Sequence, residues 1–255
     1  MRYIYFSPHL DDAVLSAGGL ISDQTREGIP VEIWTFMSGT PDDERLTEFA
    51  QEMHSIWGTA TAKETIQIRR EEDKRAASLI GAKAVHFDFL DCIYRRGKNG
   101  EALYQSAVFI PPHTEDADLP AQIAQTMIAW LKPDDVVVTQ LAIGGHVDHI
   151  LVRRAAEMLK RKLVYDVDIP YLLRYPEELA PKTANMKESP QPVSEAGLKY
   201  WLEAIEAYVT QFSSLFESHD SMREMVRAYW FERKGIGFWT IWPVDQAGLD
   251  SRLNP

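Results

Sequence analysis

Short apolar runs alternate with segments of helical period through the first two thirds of the chain. The runs are rich in β-branched and aromatic residues, which is typical of buried strands. They lie at residues 2–7, 31–37, 84–90, 134–141 and 162–165. The segments between them predict helices at residues 13–27, 44–57, 69–81, 121–131 and 150–159. This alternation predicts an α/β fold in which βαβ units form a parallel sheet with right-handed crossovers.

Two stretches interrupt the alternation. Between residues 91 and 120, glycine, proline and acidic residues replace the apolar pattern, so we predict an excursion over the active face of the sheet that contains a hairpin. Residues 166–193 hold five prolines, which predicts a loop, one that could serve as a lid.

The C-terminal part returns to helical period. Apolar residues between 198 and 212 recur at i, i+3, i+4 and i+7, which predicts one core-facing helix. Ser221 and Glu224 form a capping-box pattern that would open another helix through Trp230. Weak alternation from Gly237 to Trp242 predicts an edge strand. Without internal repeats or linkers, we expect a single domain over residues 1–255, with its core in about 1–165.

Charge and cysteine content exclude several classes of function. The formal net charge of −11 disfavours a nucleic-acid or anionic-membrane binder, because both need a basic surface. Cys92 is the single cysteine, so the chain has no disulfide framework and no thiolate zinc cage, and Cys92 itself is expected to be a small buried hydrophobe. No signal peptide is recognisable and no apolar run approaches the roughly 20 residues of a membrane span. A cytoplasmic location is therefore the expectation.

Polar side chains follow the first strand directly. His9, Asp11 and Asp12 lie where this strand turns into a helix, and ligands of open α/β sheets bind at the carboxyl ends of the strands. Two neighbouring aspartates repel each other and are costly to bury unless a positive group holds them. A divalent metal ion is the simplest such group.

A second cluster follows the strand at 134–141. His146, Asp148 and His149 come after a Gly-Gly turn, and residues three apart share one face of a helix. If the two strands are parallel neighbours, both clusters point into one crevice. The sequence therefore predicts a shared metal site.

The ligand types restrict the metal. Two histidines and one carboxylate form a three-ligand zinc set whose fourth position is open to water, as in catalytic sites. Ligands of the same types without thiolate also suit Fe²⁺, Mn²⁺ or Co²⁺. We expect one divalent ion, with Zn²⁺ preferred.

These residues resemble the motifs of a known family. Ser7-Pro8-His9-Leu10-Asp11-Asp12 is similar to the (A/P)HPDDE motif of the PIG-L/LmbE-type metal-dependent de-N-acetylases, and His146-Val147-Asp148-His149 is similar to their HxDH motif. Arg69-Arg70-Glu71-Glu72, with the alanines and the Leu-Ile-Gly that follow, resembles their R-x-x-E…A…LG helix. The motifs occur in the family's order between about residues 3 and 160.

The resemblance implies a Rossmann-like three-layer sandwich and hydrolysis of an N-acetyl or other N-acyl group on an amino-sugar conjugate. It implies His9, Asp12 and His149 as metal ligands. Asp11 would be the general base acting on the metal-bound water. His146 would stabilise the oxyanion or protonate the leaving amine, with Asp148 tuning its charge.

Two positions depart from the family's motif. Leu10 replaces its proline and Ala13 its terminal glutamate. Neither change removes a ligand or the base, although the glutamate could have supported the ligands through a hydrogen bond.

Five residues near the motifs are candidates for contact with the substrate: Arg69, Arg70, Asp91, Tyr94 and Arg95. Asp91 is preferred to Asp88 because of its loop position. Trp230, Trp239 and Trp242 could stack on a sugar, but aromatic residues at such spacing are more often part of a core. His54, His86, His113 and His219 have no companion motif, so we expect them to be structural or on the surface.

Alternative functions stay open at this point. The loss of the glutamate at Ala13 would suit a sugar-binding or regulatory module without activity, and the same metal site could serve an amidase of a non-sugar substrate. A dinucleotide-binding protein is disfavoured, because the first strand leads into His-Leu-Asp-Asp rather than a glycine-rich turn. The expected partner is a small-molecule amino-sugar conjugate, not a nucleic acid or membrane. A homo-oligomer is compatible with the sequence.

Overall fold

Seven strands form one sheet in the described residues, 1–43 and 45–241, of the computed structural model. They are β1 (Tyr3–Ser7), β2 (Val31–Thr35), β3 (Lys83–His86), β4 (Val136–Gln140), β5 (Leu163–Asp166), β6 (Lys187–Pro192) and β7 (Gly235–Thr240). The order across the sheet is β3-β2-β1-β4-β5-β7-β6. The first five strands are parallel, whereas β7 runs antiparallel to β5 and to β6. The prediction of a mostly parallel α/β sheet is confirmed.

Helices cover the sheet as right-handed crossovers require. They are α1 (Asp12–Arg26), α2 (Glu48–Trp57), α3 (Ala62–Leu79), α4 (Leu119–Trp130), α5 (Val147–Met158), α6 (Tyr171–Arg174), α7 (Leu179–Thr183), α8 (Glu195–Ile205), α9 (Val209–Leu215) and α10 (His219–Arg233). α1 connects β1 to β2 and α5 connects β4 to β5, in opposite directions across the sheet, so the two helices cover opposite faces. α3 and α8 pack with α1, and α4 packs with α5, which gives three layers.

α1 packs closely on α8 because two glycines face that helix. A Cβ atom at Gly18 would lie 2.6 Å from Cδ1 of Trp201, so only glycine leaves room for the indole. The indole Nε1 of Trp201 donates to the carbonyl of Val14 at 2.8 Å. This contact fixes the helix that follows the first histidine motif.

Three helix predictions need correction at their boundaries. The helix predicted at 44–57 begins at Glu48, where the Thr47 side chain caps it, and Glu44 lies outside the described residues. The helix predicted at 69–81 begins much earlier, at Ala62, behind a Thr61 cap. The capping-box prediction at Ser221 is wrong, because the Ser218 side chain caps α10 by accepting from Ser221 N.

The prediction of one loop over 166–193 is wrong. This stretch contains α6, α7 and the edge strand β6. Pro190 and Pro192 fit in β6 because an edge strand leaves one side of its backbone unpaired.

Other C-terminal predictions also differ from the structure. The single helix predicted over 198–212 is divided into α8 and α9, which are separated around Tyr208. β7 is an internal strand between β5 and β6, not an edge, and Trp242 lies outside the described residues. Within 91–120 the predicted hairpin is reduced to a single antiparallel bridge between Arg96 and Ala102.

None of the helices in the described ranges has both the length and the apolar character that crossing a membrane would need.

Candidate metal centre

The two histidine motifs lie side by side at the carboxyl ends of β1 and β4. These strands are parallel neighbours, with Tyr3 opposite Val136 and Tyr5 opposite Val138. Residues 9–12 follow β1, and residues 146–149 follow β4 after a turn. The prediction that neighbouring strands bring the two motifs together is confirmed.

The turn after β4 depends on glycine. Gly144 and Gly145 have φ angles of 81° and 72°, in the left-handed region that glycine tolerates best. The chain then enters α5 at His146, whose Nδ1 accepts a hydrogen bond from Asp148 N at 3.2 Å. This cap directs one ring nitrogen of His146 to the backbone and leaves Nε2 for other contacts.

Three buried imidazoles converge at this place. Ring nitrogens of His9, His146 and His149 lie within 4.8 Å of one another. The ring centroids of His9 and His146 are 4.7 Å apart, and those of His146 and His149 are 5.1 Å apart. Imidazoles packed this closely are typical of metal ligands.

Two of these histidines are held by buried carboxylates. His9 Nε2 lies 3.0 Å from Oδ2 of Asp148, and His149 Nδ1 lies 2.8 Å from Oδ1 of Asp168. An ionised carboxylate accepts the ring N–H, so the opposite nitrogen of each ring is left as the acceptor. Those opposite nitrogens, His9 Nδ1 and His149 Nε2, are each 3.3 Å from the same oxygen, Oδ2 of Asp12.

The pKa values show that this cluster attracts positive charge. Burial would lower the pKa of His149, but Asp12 and Asp168 outweigh burial and raise it to about 9. Burial likewise opposes protonation of His9, yet its hydrogen bonds to Asp12 and Asp148 hold its pKa well above the usual range. Conversely, the charge of His149 brings the pKa of Asp12 well below its usual range despite burial.

The residues present fit a divalent cation. His149 Nε2 is buried and has no hydrogen-bond partner among the described residues, while a carboxylate oxygen lies 3.3 Å away. Imidazole nitrogens and carboxylate oxygens are the donors that Zn²⁺ and its neighbours in the first transition row accept. Either His9, Asp12 and His149 or the three imidazoles could supply the ligands.

Asp11 differs from its neighbour in its surroundings. Although it precedes α1, its carboxylate accepts no capping hydrogen bond within the described chain. Instead, Ser7 Oγ accepts from Ala13 N at 3.0 Å, so the Asp11 carboxylate is not needed by the helix. Burial and the charge of Asp12 raise the pKa of Asp11 to about 7. A carboxylate with this pKa can exchange a proton at neutral pH.

Asp148 contacts His9 and also acts on the charge of His146. Its Oδ2 contacts His9 and accepts from Cys92 N at 3.0 Å, and its Oδ1 lies 2.6 Å from Nη1 of Arg95. Burial would raise the pKa of Asp148, but the Arg95 charge holds it well below the usual range. The carboxylate of Asp148 therefore orients His9, while its charge also acts to raise the pKa of His146, against the larger effect of burial.

A cavity of about 420 Å³ opens beside the cluster. His9, Asp11, Asp12 and His146 line one part of it. Arg69 and Asp91 line it as well, with Arg69 Nη1 3.8 Å from Asp91 Oδ2, so both are placed for the predicted substrate contact.

Three predicted substrate residues lie elsewhere. Arg70 pairs with the exposed Asp88 and donates to the Ser38 carbonyl. The Tyr94 hydroxyl bonds Nε2 of the buried His54 at 2.7 Å. Arg95 is buried between Asp148 and Asp116. The side chains of Arg70, Tyr94 and Arg95 contact these partners and are not among those that line the cavity, so their contact with a substrate stays a prediction.

Several site residues escaped the sequence analysis. Asp168 follows the end of β5. Ligand-binding residues are expected after the carboxyl ends of parallel strands, but the proline-rich sequence here predicts a loop, so Asp168 is not among the predicted site residues. The cavity also has walls from the 91–120 excursion, from α6 and from α9, including Phe109, Tyr171 and Leu215. These residues belong to no recognisable motif, so no sequence signal identified them.

Carboxylate–histidine contacts lie at the carboxyl ends of central parallel strands, where ligands of open α/β sheets bind, so the fold and site are those of an α/β protein with a candidate metal centre. A profile of the PIG-L family, described as GlcNAc-PI de-N-acetylase, matches residues 4–159. The chain belongs to this PIG-L de-N-acetylase family.

Individual relatives cover most of the chain. The 2'-N-acetylparomamine deacetylase of Niallia circulans is 24% identical over 201 residues, which are 69% of this chain and 70% of the relative. The teicoplanin deacetylase Orf2, solved in a zinc-inhibited form, is 26% identical with a TM-score of 0.79, covering 94% of this chain and 97% of the other. The A40926 pseudoaglycone deacetylase Dbv21 is 28% identical with a TM-score of 0.74, covering 94% and 96%.

Proposed function

We propose that the protein is a zinc-dependent hydrolase that removes an N-acetyl group from an amino-sugar conjugate. The observation that carries this proposal is the arrangement around Asp12, in which two carboxylate-held histidines present their free nitrogens to one carboxylate oxygen at 3.3 Å. Family membership and relatives that deacetylate antibiotic sugars or their conjugates support the reaction class.

His9, Asp12 and His149 are the proposed ligands of the cation. A divalent cation bound there supplies Lewis acidity, which lowers the pKa of a water toward neutrality and polarises an amide carbonyl. Asp148 and Asp168 hold the ligand rings in one tautomer and orientation through buried hydrogen bonds.

Asp11 is the proposed general base. Its carboxylate lines the cavity, and its pKa of about 7 keeps a useful fraction ionised while it can still accept a proton near neutral pH. In this proposal Asp11 takes a proton from the attacking water, and the acetamide carbon receives the oxygen.

His146 is the proposed donor to the substrate. Burial, followed by the charges of His9 and His149, brings its pKa well below the usual range, so the ring is neutral. Because Nδ1 accepts from Asp148 N, the ring proton is on Nε2. That N–H can donate to the amide oxygen as negative charge develops there, and the proton that Asp11 takes from the water can pass to the leaving amine as the C–N bond breaks.

The decisive experiment follows acetate release. Protein loaded with Zn²⁺, Fe²⁺, Mn²⁺ or Co²⁺ would be incubated with N-acetylglucosamine and with its phosphorylated, nucleotide-linked and glycoside forms. We expect acetate from at least one conjugate, with weaker turnover of the free sugar, because binding energy of remote groups can be used at the reacting centre.

Two variants provide the controls. Asp11→Asn should abolish most release, whereas Asp88→Asn removes a carboxylate on an exposed residue outside the cavity and should release acetate at the parent rate. Binding of the sugars by metal-loaded protein without acetate release would instead favour a sugar-binding module.

A further inference from the structure

Arg95 is a buried arginine with no part of its own in the proposed hydrolysis. Its side chain is 7% exposed, and its guanidinium contacts three groups. Nη1 lies 2.6 Å from Oδ1 of Asp148 and donates to the carbonyl of Leu90 at 3.0 Å, while Nε donates to Oδ2 of Asp116 at 2.9 Å. A buried charge is costly unless it is paired and hydrogen-bonded. Because both carboxylates are buried as well, the three charged side chains form one fixed unit.

Tyr104 holds this unit from the side away from the metal centre. Its hydroxyl donates to Oδ2 of Asp116 at 2.6 Å and accepts from His113 N at 2.9 Å. The guanidinium of Arg95 lies 5.0 Å from the centre of the buried Tyr104 ring. Arg95 therefore cannot leave Asp148 without losing contacts to several groups of the excursion over residues 91–120.

A single turn brings two donors to the carboxylate of Asp148. The turn is a short 3₁₀ helix, Cys92–Tyr94, which the side chain of Asp91 caps. Within it, Cys92 N donates to Oδ2 of Asp148 at 3.0 Å. Arg95 follows the turn directly, and its guanidinium approaches the other oxygen, Oδ1. Both oxygens of this carboxylate are thus held from the same stretch of chain.

His9 has two carboxylates near the same ring nitrogen. Its Nε2 lies 3.0 Å from Oδ2 of Asp148 and 3.8 Å from Oδ2 of Asp91. Only the first distance is that of a hydrogen bond. If the imidazole turned toward Asp91, its Nδ1 would leave its present place 3.3 Å from Oδ2 of Asp12. The carboxylate that His9 contacts therefore sets the direction of its proposed ligand nitrogen.

We propose that Arg95 is a positioning residue, whose guanidinium fixes Asp148 and thereby holds His9 in the orientation of a metal ligand. The inference rests on the proposed function for the role of His9 as a ligand, while the orientation of the ring can be measured on its own. A guanidinium has planar donors in fixed directions, so it can contact Asp148, Asp116 and the Leu90 carbonyl at once. A lysine ammonium would keep the charge without this geometry.

Titration of metal-free protein with Zn²⁺ gives the first readout. Arg95→Met removes the guanidinium and leaves a side chain that can pack on the Tyr104 ring, so we expect Zn²⁺ affinity to fall about 10–100-fold. Arg95→Lys keeps the buried charge and should lose affinity by a smaller factor. Affinity equal to that of the parent in either folded variant would overturn the proposal, and Arg95→Lys alone decides if Arg95→Met does not fold.

Two comparisons separate positioning from a general loss of stability. Arg2 also pairs with a buried carboxylate, Asp135 at 2.9 Å, but it precedes β1 whereas His9 follows that strand, so Arg2→Met should keep the parent affinity. If Arg95 acts through Asp148, Arg95→Met should cause little further loss of affinity in protein that already carries Asp148→Asn. An equal loss in Arg2→Met, or additive losses in the double variant, would overturn the proposal.

The second readout needs neither a cation nor turnover. In metal-free protein with isotopically labelled histidine, NMR can follow the ring N–H that His9 donates to Asp148 and its exchange with solvent. We expect this signal to exchange faster or to disappear in both Arg95 variants, while the N–H that His149 donates to Asp168 is unchanged in the same spectra. This result supports the positioning role even if the parent binds no cation and the proposed function fails. An unaltered His9 signal overturns the positioning role even if acetate release is observed.

Discussion

Oδ2 of Asp12 lies 3.3 Å from Nε2 of His149, across the junction of two neighbouring parallel strands. The orientation of both side chains is restricted because both are buried, and the imidazole of His149 is also hydrogen-bonded through Nδ1 to Asp168. This pair brings the two histidine motifs into one site.

Replacement of His149 should remove the cation. His149→Ala deletes the imidazole whose buried Nε2 has no hydrogen-bond partner in ranges 1–43 and 45–241, so we expect metal content to fall from about one ion per chain to a trace. Elemental analysis of protein purified without chelator measures this. His86→Ala is the matched control, since His86 is also held by a buried carboxylate, at 2.7 Å from Asp73, but lies outside the cavity. Full metal content in His149→Ala would remove this residue from the ligands.

The contribution of Asp11 to turnover can be measured separately from metal binding. Asp11→Asn removes the base and leaves every proposed ligand in place, so metal content should persist while kcat falls by roughly 10²–10⁴-fold. Steady-state acetate release and elemental analysis on the same preparation check both parts. Loss of metal from this variant would show that Asp11 and Asp12 have exchanged roles.

The ligand set has two possible compositions, and two variants decide between them. If Asp12 is a ligand and His146 a hydrogen-bond donor to the amide oxygen, Asp12→Ala loses the cation while His146→Ala keeps it and loses roughly 10²–10³-fold in kcat. If the three imidazoles are the ligands, Asp12→Ala keeps the cation and His146→Ala loses it. Titration of each metal-free variant with Zn²⁺ measures the two affinities without reference to turnover.

Asp168 should act through His149. Asp168→Asn weakens the hydrogen bond that orients the imidazole, and we expect affinity for the cation to fall about 10–100-fold. Asp166→Asn is a suitable control because Asp166 is equally buried and two positions away. Equal loss of affinity in the two variants would assign the effect to general disturbance of this strand end.

Asp166 should make the folded state sensitive to pH. Burial, together with the charge of Asp168, raises the pKa of Asp166 well above its usual range. Its protonated form is favoured in the folded chain, so stability is fully present below pH of about 4 and is lost as pH rises toward the folded-state pKa. Asp166→Asn removes this loss. The difference in unfolding free energy between the variant and the parent should grow, by up to about 1.4 kcal/mol per pH unit, as pH rises from about 4 toward the folded-state pKa. Urea unfolding at four pH values tests this, and a constant difference would contradict it.

The central part of the site was predictable from the sequence because the patterns that indicate its strands and motifs lie within short stretches of the chain. Each strand is an apolar run, each motif follows a strand end, and parallel strands share one edge. The neighbouring placement of β1 and β4 was the single long-range assumption, and the sheet order confirms it. His9, Asp12 and His149 needed nothing further to be placed together.

The remaining parts depend on tertiary contacts that no local pattern records. β6 forms despite Pro190 and Pro192 because β7 pairs with it over six residues. Arg70 is predicted as a substrate contact at a helix start, and Tyr94 and Arg95 as residues of a substrate loop. In the structure Arg70 pairs with Asp88, Tyr94 bonds His54, and Arg95 contacts Asp116 and Asp148. Phe49, Met53 and Leu215 line the cavity from faces of α2 and α9 whose apolar spacing resembles that of ordinary core helices.

His9 and Asp148 are 139 positions apart in sequence, yet they touch because β1 and β4 are neighbours. The first half of the chain, folded by itself, would hold His9 and Asp12 without His149. A cation bound here would therefore cross-link the early and late halves of the polypeptide. Its binding free energy would stabilise the folded state against their separation. Metal occupancy would then report how many chains have been synthesised beyond Asp168 and have assembled the middle of the sheet.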